Sequence, residues 1–479
     1  MRSYLLPESP RVAPRFHQAV RADYARFIER GLPASVEAHL LDRYGIDVAA
    51  TYAGYDLPNP WGKASGQLSM TAHQVAEDVE AGLGFVVLKT VIAQDETGEQ
   101  TMQAWAIREA RMVAERIVGR SGESGWTISW KGRGWWQSFD EYLALVRDAQ
   151  RLARGAGTLI VPSCKYHLPQ SADEPWKTAE YDFTTRKLLD AWRAEAADRD
   201  APMPLEKDFS PTLAGSDLAR QQTQILEWLR HVPQLVRAAA QTPLPPREGS
   251  GKGARSAHPA PQPSGISSPS ESGTHDATEN PPPAPSLRGR GLRVGLKLFN
   301  AMFDDAFQLE MLRAIHADEA GRPDFFVYGN RLFDPQREFD GKRGIAYGGP
   351  DLSDRNLRIM AEFQAAIAAG EIERPLPWSA TGDIHSGRMA LEYALRGASS
   401  FQIHTYFQLP APEYRMKTGT KVQKALCELY FHPERGLVVW LEHLAEALDL
   451  DRHPLRFREI VGAGPRLPAP PDSRGSGSG

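Results

Sequence analysis

Short apolar runs that alternate with helical patterns constrain this chain more than anything else in it. Candidate strands fall at 62–65, 84–89, 126–130, 158–162, 293–298, 324–328, 376–380 and 400–404, and helical periodicity fills 138–154, 305–319, 352–369 and 386–396. Strands and helices in that order predict an α/β fold, a (β/α)8 TIM barrel rather than an open sheet. No G-x-G-x-x-G opens any of the helices, which argues against a dinucleotide-binding domain.

The flanks read differently. Residues 1–45 form a helical extension, with Phe16, Val20, Tyr24 and Phe27 at three-to-four spacing, and the barrel is expected over 46–450. Ile46 to Pro58 is β-like and broken at Gly54, which predicts a hairpin; a helix is expected from Thr71 to Gly82. Residues 243–291 contain no Phe, Trp or Tyr and include Pro281-Pro282-Pro283, too little apolar surface to offset ordering entropy. They are expected to be a disordered insertion between strands four and five. The stretch 216–240 before them, with Leu226, Trp228, Leu229 and Leu235, is expected to pack on the barrel. A second disordered segment is expected at 465–479, which closes on Gly475-Ser476-Gly477-Ser478-Gly479.

Composition narrows the function classes. Lys and Arg number 56 against 60 Asp and Glu, a net charge of −4, so no basic excess points to nucleic acid and a small-molecule partner is expected. With Cys164 and Cys427 as its two cysteines the chain has no disulfide framework and cannot ligate an iron–sulfur cluster by itself; no metal site is expected. Arg2, Glu8, Arg11, Arg15, Arg21 and Asp23 interrupt any signal-peptide core, and no apolar run is long enough to span a membrane. A cytoplasmic protein without a membrane partner is the expectation, with a homo-oligomer left open.

Leu159-Ile160-Val161-Pro162-Ser163-Cys164 reads as a buried strand that ends on a serine and a cysteine. Strand ends are where a barrel gathers its ligand-binding side chains, yet an unpaired cysteine by itself is more often a small buried hydrophobe. Lys297, in Gly295-Leu296-Lys297-Leu298, is seldom structural inside such a strand, because burying an unpaired ammonium is costly. Cys427, in the run Ala425-Leu426-Cys427, reads as core.

Four stretches together resemble the flavin-dependent dihydroorotate dehydrogenase family, of the soluble class that uses a cysteine base. They are Asn59-Pro60-Trp61-Gly62-Lys63-Ala64-Ser65-Gly66 with Leu88-Lys89-Thr90; Ser163-Cys164 with Tyr181-Asp182-Phe183; Gly295-Leu296-Lys297-Leu298; and Tyr347-Gly348-Gly349 with Ala380-Thr381-Gly382-Asp383-Ile384 and Gln402-Ile403-His404-Thr405. The resemblance implies FMN as cofactor, bound by Ala64, Ser65, Gly66, Lys89, Thr90, Lys297, Gly348, Gly349, Gly382, Asp383, His404 and Thr405. It implies Cys164 as the base that takes a proton while hydride leaves for the flavin, and Lys89, Ser163 and Asn330 as substrate contacts; Tyr166, beside the thiol, is added as a candidate replacement acid or hydrogen-bond donor to the substrate. Lys297 would then lie against the flavin N1 and C2 carbonyl, and the loops after strands seven and eight would hold the phosphate on backbone amides.

The chain also departs from the family. Val161 stands in place of the asparagine before S-C, Lys165-Tyr166 replaces the P-N after it, and Thr101 to Arg120 holds no N-x-M-G-L-P-N loop. Asp383 and His404 each replace a phosphate-loop glycine. The expected activity is an FMN-dependent oxidation of a CH–CH bond in a dihydropyrimidine-like substrate, in pyrimidine metabolism by resemblance. A dihydrouridine synthase-like flavoenzyme, which the near-neutral charge disfavours, and a non-catalytic flavin-binding protein are the alternatives.

Overall fold

A computed structural model describes residues 4–171, 173–209, 218–241, 291–300, 303–317 and 319–468. Its central sheet comprises β1 (Trp61–Lys63), β2 (Phe85–Val87), β3 (Leu159–Val161, resuming at Ser163–Lys165), β4 (Met203–Asp208), β5 (Leu292–Lys297), β6 (Phe325–Tyr328), β7 (Trp378–Thr381) and β8 (Ala398–Ile403). All pair in parallel with their sequence neighbours, and β8 pairs with β1 through Phe401 and Trp61, so the sheet closes into a barrel. Pro162 has no N–H to give the ladder and splits β3 there; its carbonyl instead accepts from Glu206 N at 3.0 Å. Val161 pairs with Val87 on one side of the break, and Ser163 pairs with Glu206 on the other.

Helices α1 (Ala72–Glu80), α2 (Phe139–Ala153), α3 (Thr178–Glu195), α4 (Leu218–Gln241), α5 (Asp305–Ala317), α6 (Pro350–Ala368) and α7 (Gly387–Leu395) follow β1 to β7 in turn. Capping boxes start α1 at Thr71, with Gln74, and α2 at Ser138, with Glu141, each satisfying two backbone N–H groups. The helices Pro14–Arg30 and Val36–Tyr44 form the N-terminal extension, and Phe27 packs on Phe431 with ring centres 4.7 Å apart.

Two strand assignments from the sequence need correction. Residues 126–130 are a strand, but Ser124–Arg133 pairs antiparallel with Ile107–Val118 in a hairpin above the barrel rather than in its wall. The wall strand missing from the sequence reading is β4, so Cys164 lies on the third strand and not the fourth. The remaining expected strands lie within a few residues of those observed.

Large aromatics fill the lower barrel. The short hairpin of Ala50–Tyr52 and Tyr55–Leu57 closes the N-terminal end and inserts Tyr52, which stacks on Phe85 at 4.4 Å and meets Phe325 edge-on at 5.1 Å. Glycines make room for those rings: a Cβ on Gly62 would come within 2.2 Å of Phe85, and one on Gly295 within 2.1 Å of Phe325.

Residues beyond 450 also belong to the packed structure. Leu455-Arg456 pairs with Ile46-Asp47, and Phe457 and Ile460 are buried. Of the expected tail, 465–468 are described, with Gly464–Arg466 in a 3-10 turn and Leu467 against the core. Its remainder lies outside the described residues, as does the expected insertion at 243–291 apart from Gly291, whose carbonyl accepts from Met203 N.

Candidate active site

A solvent-connected cleft opens at the carboxyl ends of β1 and β5 to β8, where barrels gather binding groups because the loops there are free to vary. Lys297 and Gln402 form its floor, and Ala64 and Ser65 one side. Asn330 and Arg331 enter from the end of β6, Gly348 and Gly349 from the start of α6, Gly382, Asp383 and His385 from the end of β7, and His404 and Thr405 from β8. Trp126 and Ile128, on the hairpin strand that the sequence reading put in the wall, roof the cleft with Tyr347. Thr127 fixes this roof by accepting from Gly348 N at 3.0 Å.

Inward-facing polar groups continue below and beside the cleft. Ser65 Oγ lies 2.8 Å from Thr90 Oγ1, which lies 3.0 Å from Ser163 Oγ, so one hydroxyl chain links β1, the end of β2 and β3. Lys297 Nζ donates to Gln402 Oε1 at 3.0 Å. Lys89 is buried at the end of β2, and burial first, then the charges of Arg331 and Lys297, hold its ammonium down at about 8 despite Asp208. Lys165 lies with Nζ 3.9 Å from Asp208 and 4.1 Å from the centre of the Trp105 ring. His404 is held far below the usual imidazole range by desolvation and by Arg331, Lys89, Lys297 and Lys63, so it is neutral near pH 7. Its ring covers Gly66, where a Cβ would come within 2.2 Å of it.

The cleft's far end is mixed in charge. Gly349, at φ 93°, caps α6 without a side chain; its carbonyl accepts from Leu352 N at 3.0 Å, and Pro350 follows it with no N–H. Asp383, at φ 52°, lies 3.4 Å from Ser353 Oγ and 3.6 Å from His385 Nδ1, so its carboxylate is turned onto the first turn of α6. Burial pulls the His385 imidazole down, but Asp383 more than offsets it and the group is raised. Behind these loops Asn356 Nδ2 donates to the carbonyls of Gly329 at 3.2 Å and Thr381 at 3.1 Å, locking the ends of β6 and β7 together.

Of the residues marked in the sequence, the structure brings Ala64, Ser65, Lys297, Asn330, Gly348, Gly349, Gly382, Asp383, His404 and Thr405 to one cleft. Gly66, Lys89, Thr90 and Ser163 adjoin it through the contacts above. Cys164 and Tyr166 are not brought there. Ser163 faces inward, so its neighbour Cys164 faces out, fully buried between the barrel wall and α3, and burial pushes its thiol up. Tyr166 shares that outer layer, its ring stacked on Tyr181 at 4.4 Å and its hydroxyl 2.7 Å from Thr185. His167, the next residue, pairs with Glu174 at 2.8 Å. Glu206, Asp208, Arg331 and Asn356 were not singled out from sequence and Gln402 was given no role there, because Glu206-Lys207-Asp208 does not read as a wall strand and the others lie outside the marked positions.

The fold and cleft define an α/β barrel with an open cleft, lined by Lys297, Arg331 and Asp383 among others, at the carboxyl ends of its strands. No protein-family model and no curated protein matches the sequence. Among solved structures the chain is similar to a DHODH from Eimeria tenella in complex with ferulenol, with 13% identity over 96% of this chain and 98% of that one and a TM-score of 0.51. At that identity the likeness is one of fold. Among the described residues, no helix is long and apolar enough to cross a membrane.

Proposed function

We propose that the cleft binds FMN and that the protein is a flavin-dependent oxidoreductase acting on an anionic, dihydropyrimidine-like substrate. The observation that carries this reading is the convergence of Lys89, Lys297 and Arg331 on one site walled by small residues. A planar anionic ring needs such a ledge and such counter-charge. Ala64, Ser65 and Gly66 would give the ledge, and Lys297 would face the ring's N1 edge. The phosphate would reach the backbone at Gly348, Gly349 and Gly382, where Asp383 is the group that opposes it. When bound, FMN supplies a hydride acceptor, which no side chain of this chain can be.

The substrate would lie over the ends of β2 to β4, where Lys89, Ser163, Lys165 and Asp208 face inward. Oxidising a CH–CH bond sends a hydride to the cofactor and a proton to a base. Cys164 faces away from this space, and Lys89 is the inward group held close to neutrality, so the proton passes to Lys89 Nζ. The DHODH likeness in fold supports the reaction class; the charged Lys165 and Asp208 favour a substrate other than dihydroorotate.

The test is direct. The purified protein should carry, or take up, FMN with its visible absorbance, and dihydropyrimidines bearing a carboxylate should bleach it anaerobically. A protein that neither retains nor binds flavin would falsify the reading.

A further inference from the structure

A buried acid lies directly behind the cleft floor. Glu206 faces inward from β4, fully buried, and its Oε1 accepts hydrogen bonds from the hydroxyl of Tyr52 and from Gln402 Nε2. Its Oε2 takes no hydrogen bond among the described residues and lies 4.0 Å from Lys297 Nζ. Gln402 joins the two, since its oxygen must face the ammonium, which only donates, and its NH2 the carboxylate, which accepts. Burial pushes the Glu206 carboxyl up, since it penalises the charged form, and the Lys297 ammonium facing the unpaired oxygen is the main group that favours the carboxylate. None of these acid-side groups touches the cleft except through Lys297 and Gln402.

Resting on the reading of the cleft as a flavin site, we propose that Glu206 is a positioning residue that holds the Lys297 ammonium at the floor, offsets part of its charge and so lowers the reduction potential of the bound flavin. The Lys297 ammonium serves two anions, Glu206 below and the ring edge above. Reduction adds negative charge above, and a fixed negative charge below opposes it across a water-excluded gap. By donating to Oε1, Tyr52 and Gln402 work with Lys297 against the upward push of burial and favour the ionised form of Glu206, which places the bottom hairpin of the barrel in the circuit that tunes the cofactor.

The experiment measures the midpoint potential of bound FMN in the full-length protein by equilibration with a reference dye, in wild type, Glu206→Gln and Tyr52→Phe. Glu206→Gln keeps the shape and removes the charge. It should favour the reduced over the oxidised flavin by about tenfold, which for a two-electron couple is roughly 30 mV upward. Tyr52→Phe, which weakens the support of the carboxylate without touching Lys297, should move the potential the same way by a smaller factor. If Glu206→Gln yields no folded protein, Tyr52→Phe alone decides, and an unchanged potential there overturns the inference. Normal flavin occupancy with an unchanged potential in Glu206→Gln overturns the role of Glu206 and leaves the flavin reading standing. Loss of flavin without a change in potential of the fraction still bound marks Glu206 as merely structural. A wild type that binds no flavin overturns the flavin reading itself.

Discussion

Cys164 and Lys207 are paired in register across the β3–β4 ladder, both buried on the outer face of the barrel wall. Burial acts on them in opposite directions, pushing the thiol up and the ammonium down to about 7, the lysine held further down by Lys165. Lys207 keeps a hydrogen bond to its neighbour's carbonyl at 2.9 Å and lies 4.6 Å from the Phe209 ring centre. The cysteine is therefore expected to act as packing. Cys164→Ala should leave flavin reduction by substrate within about twofold of wild type while costing about 1 kcal/mol of stability for the lost buried sulfur. Stopped-flow bleaching and denaturant unfolding measure the two; a drop in rate of 10²-fold or more, the usual worth of a base, would return Cys164 to the chemistry.

The lower barrel yields a stability prediction. Gly295 pairs with Phe325, whose ring occupies the space a Cβ would need. Gly295→Ala should destabilise the protein by roughly 1–3 kcal/mol, the range for overpacking a filled interior. Urea unfolding followed by tryptophan fluorescence reads this. A neutral result would show that Phe325 and Tyr52 rearrange freely, contrary to their edge-on packing.

Much of the barrel is legible in the sequence because its walls are apolar runs bounded by glycine and proline. β4 is not, because Glu206-Lys207-Asp208 puts three charges in six residues, and only the finished barrel brings Tyr52, Gln402 and Lys297 to the first of them. Residues 126–130 carry real strand propensity; propensity says that a segment is extended, not which strand it pairs with. The same limit applies to Cys164. Its apolar run identifies a strand, but which face each side chain takes depends on the register with the neighbouring strands, which the run by itself does not fix. Lys297 was legible because an ammonium inside a buried strand is unusual chemistry whatever partners surround it, whereas the glycine-bearing loops after β1, β6 and β7 stood out only through their joint resemblance to a known family.

Lys89 sets the expected pH dependence. Its folded value is depressed from the ordinary lysine range to about 8, so the neutral amine is scarce at pH 6.5 and abundant above 8. If that amine takes the substrate proton, the rate of flavin reduction should rise with pH and level off above about 8. Lys89→Met should lower the rate by roughly 10²- to 10⁴-fold and remove the inflection. The same shift makes folding more favourable as pH rises from about 8 toward the unfolded lysine value, since the buried ammonium is the unfavourable form. Rates that fall through pH 8 would identify the ammonium, not the amine, as the working form.

Asp383 is the residue whose removal should improve the cofactor site. It holds a left-handed backbone conformation at φ 52°, where glycine carries no steric cost, and it directs a carboxylate at the start of α6, where the helix dipole would otherwise favour an anionic ligand. Two effects then act together in Asp383→Gly, relief of the backbone and loss of a negative charge beside the expected phosphate. Their sum should tighten FMN binding by about tenfold. Asp383→Asn separates them, because it removes the charge and keeps the strained side chain; it should retain most of the gain. The dissociation constant is measured by quenching of FMN fluorescence at low and high salt, and the gain should shrink as salt rises if it is electrostatic. Weaker binding in both variants would mean that Asp383, through Ser353 and His385, builds the phosphate loop instead of opposing its ligand, and the phosphate would then have to sit on the β8 side, against His404 and Thr405.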